Sequence, residues 1–228
     1  MAAHSRPLPA LGLFRAGGGT VNLTEMERVR TAWTASGDAA VLERIHDEAI
    51  HLALWQRPRP KGLDWLDRLH FDEIDDVQKD LPIAGLAAAL LSELEAAGYP
   101  VGVRAAVLAA EIAALAGRFA QIMAIDTVRL RLEVVETDAC RKFHMDNVKA
   151  RLLAPLTEPG TQWIETDRGA DAPINHLHAG EVGLFKGRIW AESPAILHRS
   201  PPIAGLGLSR LLLVLDLPVA PPAGNHQP

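Results

Sequence analysis

"VRLRLEVVE", residues 128–136, decides the fold. Val128, Leu130, Leu132 and Val134 alternate there with Arg129, Arg131 and Glu133. Successive side chains of a strand point to opposite faces, so this period of two reads as a half-buried strand. Upstream of Asp126 the pattern is helical instead. "LTEMERVRTAW" (23–33) sets Thr24 three residues before Glu27, the signature of a capping box. "DAAVLERIHDEAIHLALWQ" (38–56) predicts a helix with Asp38 as N-cap and Val41, Leu42, Ile45, Ala49 and Leu52 along one face. "RPRPKG" stops it. Two alanine-rich helices follow, at about 83–97 and 101–121, parted by "GYP".

Downstream of 136 the strand candidates are short. They are "ARLLAPL" (150–156), "TQWIETD" (161–167), "EVGLFKG" (181–187), "PAILHRS" (194–200) and "SRLLLVLDL" (209–217). Nothing between them is long enough for the helix of a βαβ crossover, which points to an antiparallel sandwich or barrel. The expected class is α+β, with a helical region over 23–125 and a β-barrel or jelly roll over 126–216. Together they make one compact unit. Residues 1–22 and 217–228, rich in proline and glycine, are expected to be loose ends.

The bulk properties narrow the function. A chain of 228 residues with 48% hydrophobic and 22% charged residues is a soluble globular protein with a real core. A net charge of −5 supplies no basic surface for nucleic acid. Cys140 is the one cysteine, which excludes an intrachain disulfide and a multi-cysteine zinc cage. No signal peptide is evident. The longest apolar stretch is interrupted by Glu93, Glu95, Pro100 and Arg104, so no membrane span is expected. A cytoplasmic protein fits these features.

The chemistry concentrates in "CRKFHMDNVKARLL", residues 140–153. On a strand, His144 and Asp146 project from one face. That pair has three readings: a metal site, an acid–base pair, or a polar strand end. His198, 52 residues after Asp146, offers a third ligand. Two histidines and one carboxylate make the facial set that holds non-haem Fe(II) with positions left open. Arg210, twelve residues later, starts an otherwise apolar run and needs an anionic partner if it faces inward.

The order H-x-D, then H about fifty residues on, then R on a short strand resembles the Fe(II)/2-oxoglutarate-dependent oxygenases. That resemblance implies a double-stranded β-helix (jelly roll, cupin-like), Fe(II) on His144, Asp146 and His198, and Arg210 on the distal carboxylate of 2-oxoglutarate. "TDACRKFHMDNVKARLL", "GTQW", "GLFKG" and "HRSPP…RLLLVLD" are similar to the bacterial family catalogued as domain of unknown function 1826, over about residues 25 to 216. That family has no settled activity. A cysteine and an aromatic usual in its strand after H-x-D are replaced here by Ala154 and Leu156.

The alternative is a non-catalytic metal-binding protein in zinc or copper homeostasis, using the same ligands with Cys140 as an accessory. Lys142, Arg151, Lys186 and Arg199 flank the site as candidate contacts for an anionic substrate, small molecule or protein. Thr161 and Trp163 are candidates for the barrel mouth. His176 and His178, also two apart, fall in a Gly/Asp/Pro-rich stretch and read as solvent-facing loop. The run "DEIDD" (72–76) lacks the glycine and final glutamate of a calcium loop and reads as solvated surface.

Overall fold

The computed structural model describes residues 31–137, 141–193 and 195–218. Its strands are β1 (Trp33–Ser36), β2 (Leu52–Trp55) and β3 (Val77–Pro82), then helices α1 (Leu86–Ala96) and α2 (Val103–Met123). After them come β4 (Thr127–Val135), β5 (Ala150–Pro155), β6 (Thr161–Glu165), β7 (Asn175–Leu177), β8 (Val182–Lys186), β9 (Ile196–Arg199) and β10 (Arg210–Asp216). The strands form a seven-stranded sheet in the order β1-β2-β8-β5-β10-β4-β3 and a three-stranded sheet β7-β6-β9. Every pairing is antiparallel except β1 with β2.

The parity of each strand sorts its side chains between two cores. On β10, Leu211, Leu213 and Leu215 face the helices, where Leu108, Ile112, Leu115 and Phe119 of α2 join them. Val128, Leu130 and Leu132 of β4 share that side, as their alternation predicts. Leu212 and Val214 face the other way and pack with Leu153, Phe185, Trp163, Leu177 and Ile196, contributed by both sheets. The helices cover one face of the large sheet, and the small sheet covers the other.

The helical reading of 23–125 needs correction. Asp38 does cap a helix, accepting the Ala40 N–H at 2.9 Å, but that helix is a 3₁₀ segment ending at His46. "LALW" then leaves it to become β2, paired with β1 and β8. Leu52, Ala53 and Leu54 are all buried because both faces of β2 are covered. A short apolar run buried on both sides carries no period that separates strand from helix. "VQKDLP" escaped notice for the opposite reason: β3 is an edge strand, and Val77 alone of its residues is buried. Thr24 and Glu27 lie outside the described residues, as do 1–22 and the tail from 219.

The two alanine-rich helices stand within two to three residues of the predicted bounds. α2 is long and apolar enough to cross a membrane by length and composition, yet Leu108, Ile112, Leu115, Ala116 and Phe119 are buried in the core. The five expected strands after residue 149 all form. His176 belongs to the short strand β7 rather than a loop, since "NHL" pairs with β6.

Candidate metal centre

His144 lies outside the regular strands. It makes an isolated bridge with His198, each backbone N–H donating to the other's carbonyl at 3.0 Å. That bridge, rather than a continuous strand, brings the H-x-D stretch onto β9. Arg199 strengthens the join: its guanidinium stacks 4.2 Å over the Phe143 ring and donates to Gln162 Oε1 at 2.8 Å. The Asp146 segment is held from the other side by the exit of β8. Gly187 N donates to Lys149 O, Arg188 N to Asp146 O and Ile189 N to Val148 O.

Gly187 leaves no room there for a side chain. A Cβ at that position would sit 2.0 Å from Val148 O and 3.0 Å from Asp146 O. Gly187→Ala is therefore expected to push the 146–148 backbone away and destabilise the fold by about 1–3 kcal/mol, as overpacking does. Urea unfolding would read the loss, and an unchanged midpoint would refute the close packing.

The three side chains converge. His144, Asp146 and His198 each present a ligand atom within 4.8 Å of the others. Two bonds of 2.0–2.2 Å to one ion span at most about 4.4 Å, so a small rotation closes the set. His198 Nε2 is 2.8 Å from Asp146 Oδ2, and His144 Nε2 is 3.5 Å from Asp146 Oδ1. His144 Nδ1 is 2.9 Å from Lys142 O, so Nδ1–H donates to that carbonyl and Nε2 faces the cluster. His198 is wedged between the rings of His144 at 4.7 Å and Phe185 at 5.0 Å.

The electrostatics favour an ionised carboxylate between two rings. Burial works to raise the Asp146 carboxyl, but hydrogen bonds from His144 and His198 and the charge of Arg151 outweigh it. The net effect holds it well below the usual carboxylate range. Burial lowers His198, against the pull of Asp146, and so favours the neutral ring a metal requires. The hydrogen bond to Asp146 raises His144, against a smaller effect of burial.

These groups open onto a cavity of about 280 Å³ whose other walls include Arg131, Glu133, Leu153, Thr161, Ser200, Arg210 and Leu212. Arg210 is 1% exposed. Its Nη1 donates to Thr161 Oγ1 at 3.2 Å and its Nη2 to Ser200 Oγ at 2.9 Å. Arg151 and Arg199 line the same cavity.

Three other residues singled out in the sequence lie elsewhere. Lys186 has the parity of Val182 and Leu184, so it points to the helix side, and its Nζ donates to the carbonyls of Asp47 and Glu48 at 2.6 and 3.2 Å. Trp163 is packed in the core between the sheets, edge-on to Trp33 at 5.2 Å. Lys142 contributes its carbonyl to His144, while its side chain is exposed. Cys140 lies outside the described residues.

Sequence reading missed a run of charge beneath the cavity. Arg131 Nη1 donates to Glu133 Oε1 at 2.6 Å and Arg131 Nη2 to Asp216 Oδ2 at 3.2 Å. Arg151 Nε and Nη2 clasp the two oxygens of Asp216 at 2.7 and 2.8 Å. Arg131 and Glu133 on the polar face of "VRLRLEVVE" are thus cavity wall, while Arg129 pairs with Asp80 nearer the surface. One signal pointed there. Arg210 and Asp216 bound an apolar run six residues apart, which gives them one parity and one face.

No curated protein matches the chain. Among solved structures it is similar to a dioxygenase for auxin oxidation from rice, at 16% identity and TM-score 0.42, over 71% of this chain and 67% of that one. It is also similar to dioxygenase for auxin oxidation 1 from Arabidopsis thaliana in its 2-oxoglutarate complex, at 11% identity and TM-score 0.39, over 72% and 73%. A third is hydroxypropylphosphonic acid epoxidase from S. wedmorenis, at 16% identity and TM-score 0.28, over 40% and 43%. At the level of family the match is direct: residues 36–216 fit the model described as "Protein of unknown function (DUF1826)", and the chain belongs to that family.

Proposed function

We propose that the protein is a cytoplasmic Fe(II)- and 2-oxoglutarate-dependent oxygenase whose facing sheets form a double-stranded β-helix. The observation that carries this reading is the meeting of His144, Asp146 and His198 in one cavity with the buried Arg210. A set of two imidazoles and one carboxylate suits Fe(II) and leaves positions for other ligands. Bound iron would supply activation of O₂, with 2-oxoglutarate as the reductant of that chemistry.

The chain's own residues do the rest. His144 and His198 present imidazole nitrogens to different oxygens of Asp146, and the bridge between their backbones keeps that spacing. Arg210, steadied by the Thr161 and Ser200 hydroxyls, offers a planar fork suited to the distal carboxylate of 2-oxoglutarate. Leu153, Leu212 and Val214 give the cavity an apolar wall that limits water. The substrate, a small molecule or a protein side chain, enters the same cavity, where Arg199 is a candidate contact.

The decisive measurement is metal analysis of protein purified without oxygen, with and without 2-oxoglutarate. Iron near one per chain, and consumption of 2-oxoglutarate, support the oxygenase. Tight zinc or copper that ignores the cosubstrate identifies a metal-homeostasis protein and overturns it.

Metal affinity should also depend on pH. A ring raised above 6.5 keeps its proton to higher pH, and His144 must lose that proton to bind metal. Affinity is therefore expected to fall as pH drops through the His144 value, by up to about tenfold per pH unit for one displaced proton. Cobalt titrations at pH 8 and pH 6 check the sign. Equal affinities would exclude His144 as a ligand.

A further inference from the structure

We propose that Arg151 is a positioning residue for the metal centre, clamping one oxygen of Asp146 so that the carboxylate serves as a one-oxygen ligand. This rests on His144, Asp146 and His198 binding a divalent ion. Arg151 Nη1 lies 2.6 Å from Asp146 Oδ1. The oxygen left over, Oδ2, is the one 2.8 Å from His198 Nε2. An ion pair this close holds the guanidinium charge against Oδ1 and opposes its use as a second metal bond.

The clamp is itself anchored. β5 and β10 are in register with Arg151 opposite Asp216, and the guanidinium grips both oxygens of Asp216, which is 4% exposed. Asp216 is in turn met by Arg131, and Arg131 by Glu133. Charges alternate from Glu133 to Asp146, so the inner ions Arg131, Asp216 and Arg151 each have a partner on either side and the row is stiff. Only a guanidinium can hold two carboxylates with a rigid fork. An ammonium on a flexible stem reaches one of them and fixes neither in plane.

The test uses the full chain loaded with Co(II), whose visible absorption reports ligand number. Arg151→Gln should weaken Co(II) binding by about 10–100-fold, the usual cost of losing an outer partner of a metal ligand. Its spectrum should change as both Asp146 oxygens become available. Arg151→Lys should fall between. Because Arg151→Gln leaves the buried Asp216 with Arg131 alone, the double variant Arg151→Gln/Asp216→Asn removes both ends of that pair and should show the same loss and the same spectrum. Identical affinity and spectrum in wild type and these variants would overturn the clamp. Failure of the wild-type protein to bind Co(II) would overturn the metal centre itself, and the clamp with it.

Discussion

Replacing Asp146 by alanine is expected to abolish metal binding while leaving the fold in place. Asp146 is the only anionic member of the ligand set, and each of its oxygens faces one of the two histidine rings. Losing an outer partner of a metal ligand costs about 10–100-fold in affinity, so losing the charged ligand itself should exceed about 100-fold. The fold tolerates the change because Arg151 keeps Asp216 and is not left as an uncompensated buried charge. Metal content of the purified variant measures the first claim, and its cooperative thermal transition without metal measures the second. Full occupancy in Asp146→Ala, with loss in Cys140→Ser, would move the site to a thiolate and favour zinc or copper.

Arg210→Lys should keep the metal and lose the cosubstrate. The guanidinium is almost fully buried, and two hydroxyls fix its plane in the cavity wall. Lysine delivers the charge to the same region but cannot make two parallel bonds to one carboxylate. Loss of one charge-assisted hydrogen bond costs about 1.5–3 kcal/mol, or roughly 10–150-fold in 2-oxoglutarate affinity. The charge-transfer absorbance of the iron-loaded protein, titrated with 2-oxoglutarate under nitrogen, reads it directly. Equal titration curves for both proteins would remove Arg210 from the cosubstrate site.

The residues of this site were legible in sequence because their chemistry is sparse. His144, Asp146, His198 and Arg210 are polar groups in segments whose neighbours are strand-like, and their spacing resembles a known pattern. The row from Glu133 to Arg151 was not legible. Alternation shows that Arg129, Arg131 and Glu133 share a face, but solvent and a polar cavity leave the same alternation. Only the small sheet, seated over that face, distinguishes them. The fold divides in the same way. β4, covered chiefly on one side, announced itself by period, whereas β2, buried on both faces within a stretch of helical pattern, and β3, at an edge, did not. Lys186 shows the limit of proximity in sequence: it flanks the motif residues, yet one step of parity sends it to the opposite side of the sheet.

The place of β10 has a consequence for how the protein is made. The last strand among the described residues is not at the margin of the large sheet but between β5 and β4, hydrogen-bonded to both. On the ribosome, β4 and β5 are finished long before the strand that must separate them. Until residue 216 has emerged, the two halves of the sheet have no common seam. The leucines that will face α2 from β10 are still missing from its cover, and Asp216 has yet to reach Arg151. Closing such distant pairings is slow, and the open strand edges it leaves invite association with other chains. The large sheet is therefore completed by the insertion of a keystone, and a nascent chain halted short of it should depend on chaperones far more than one that includes it.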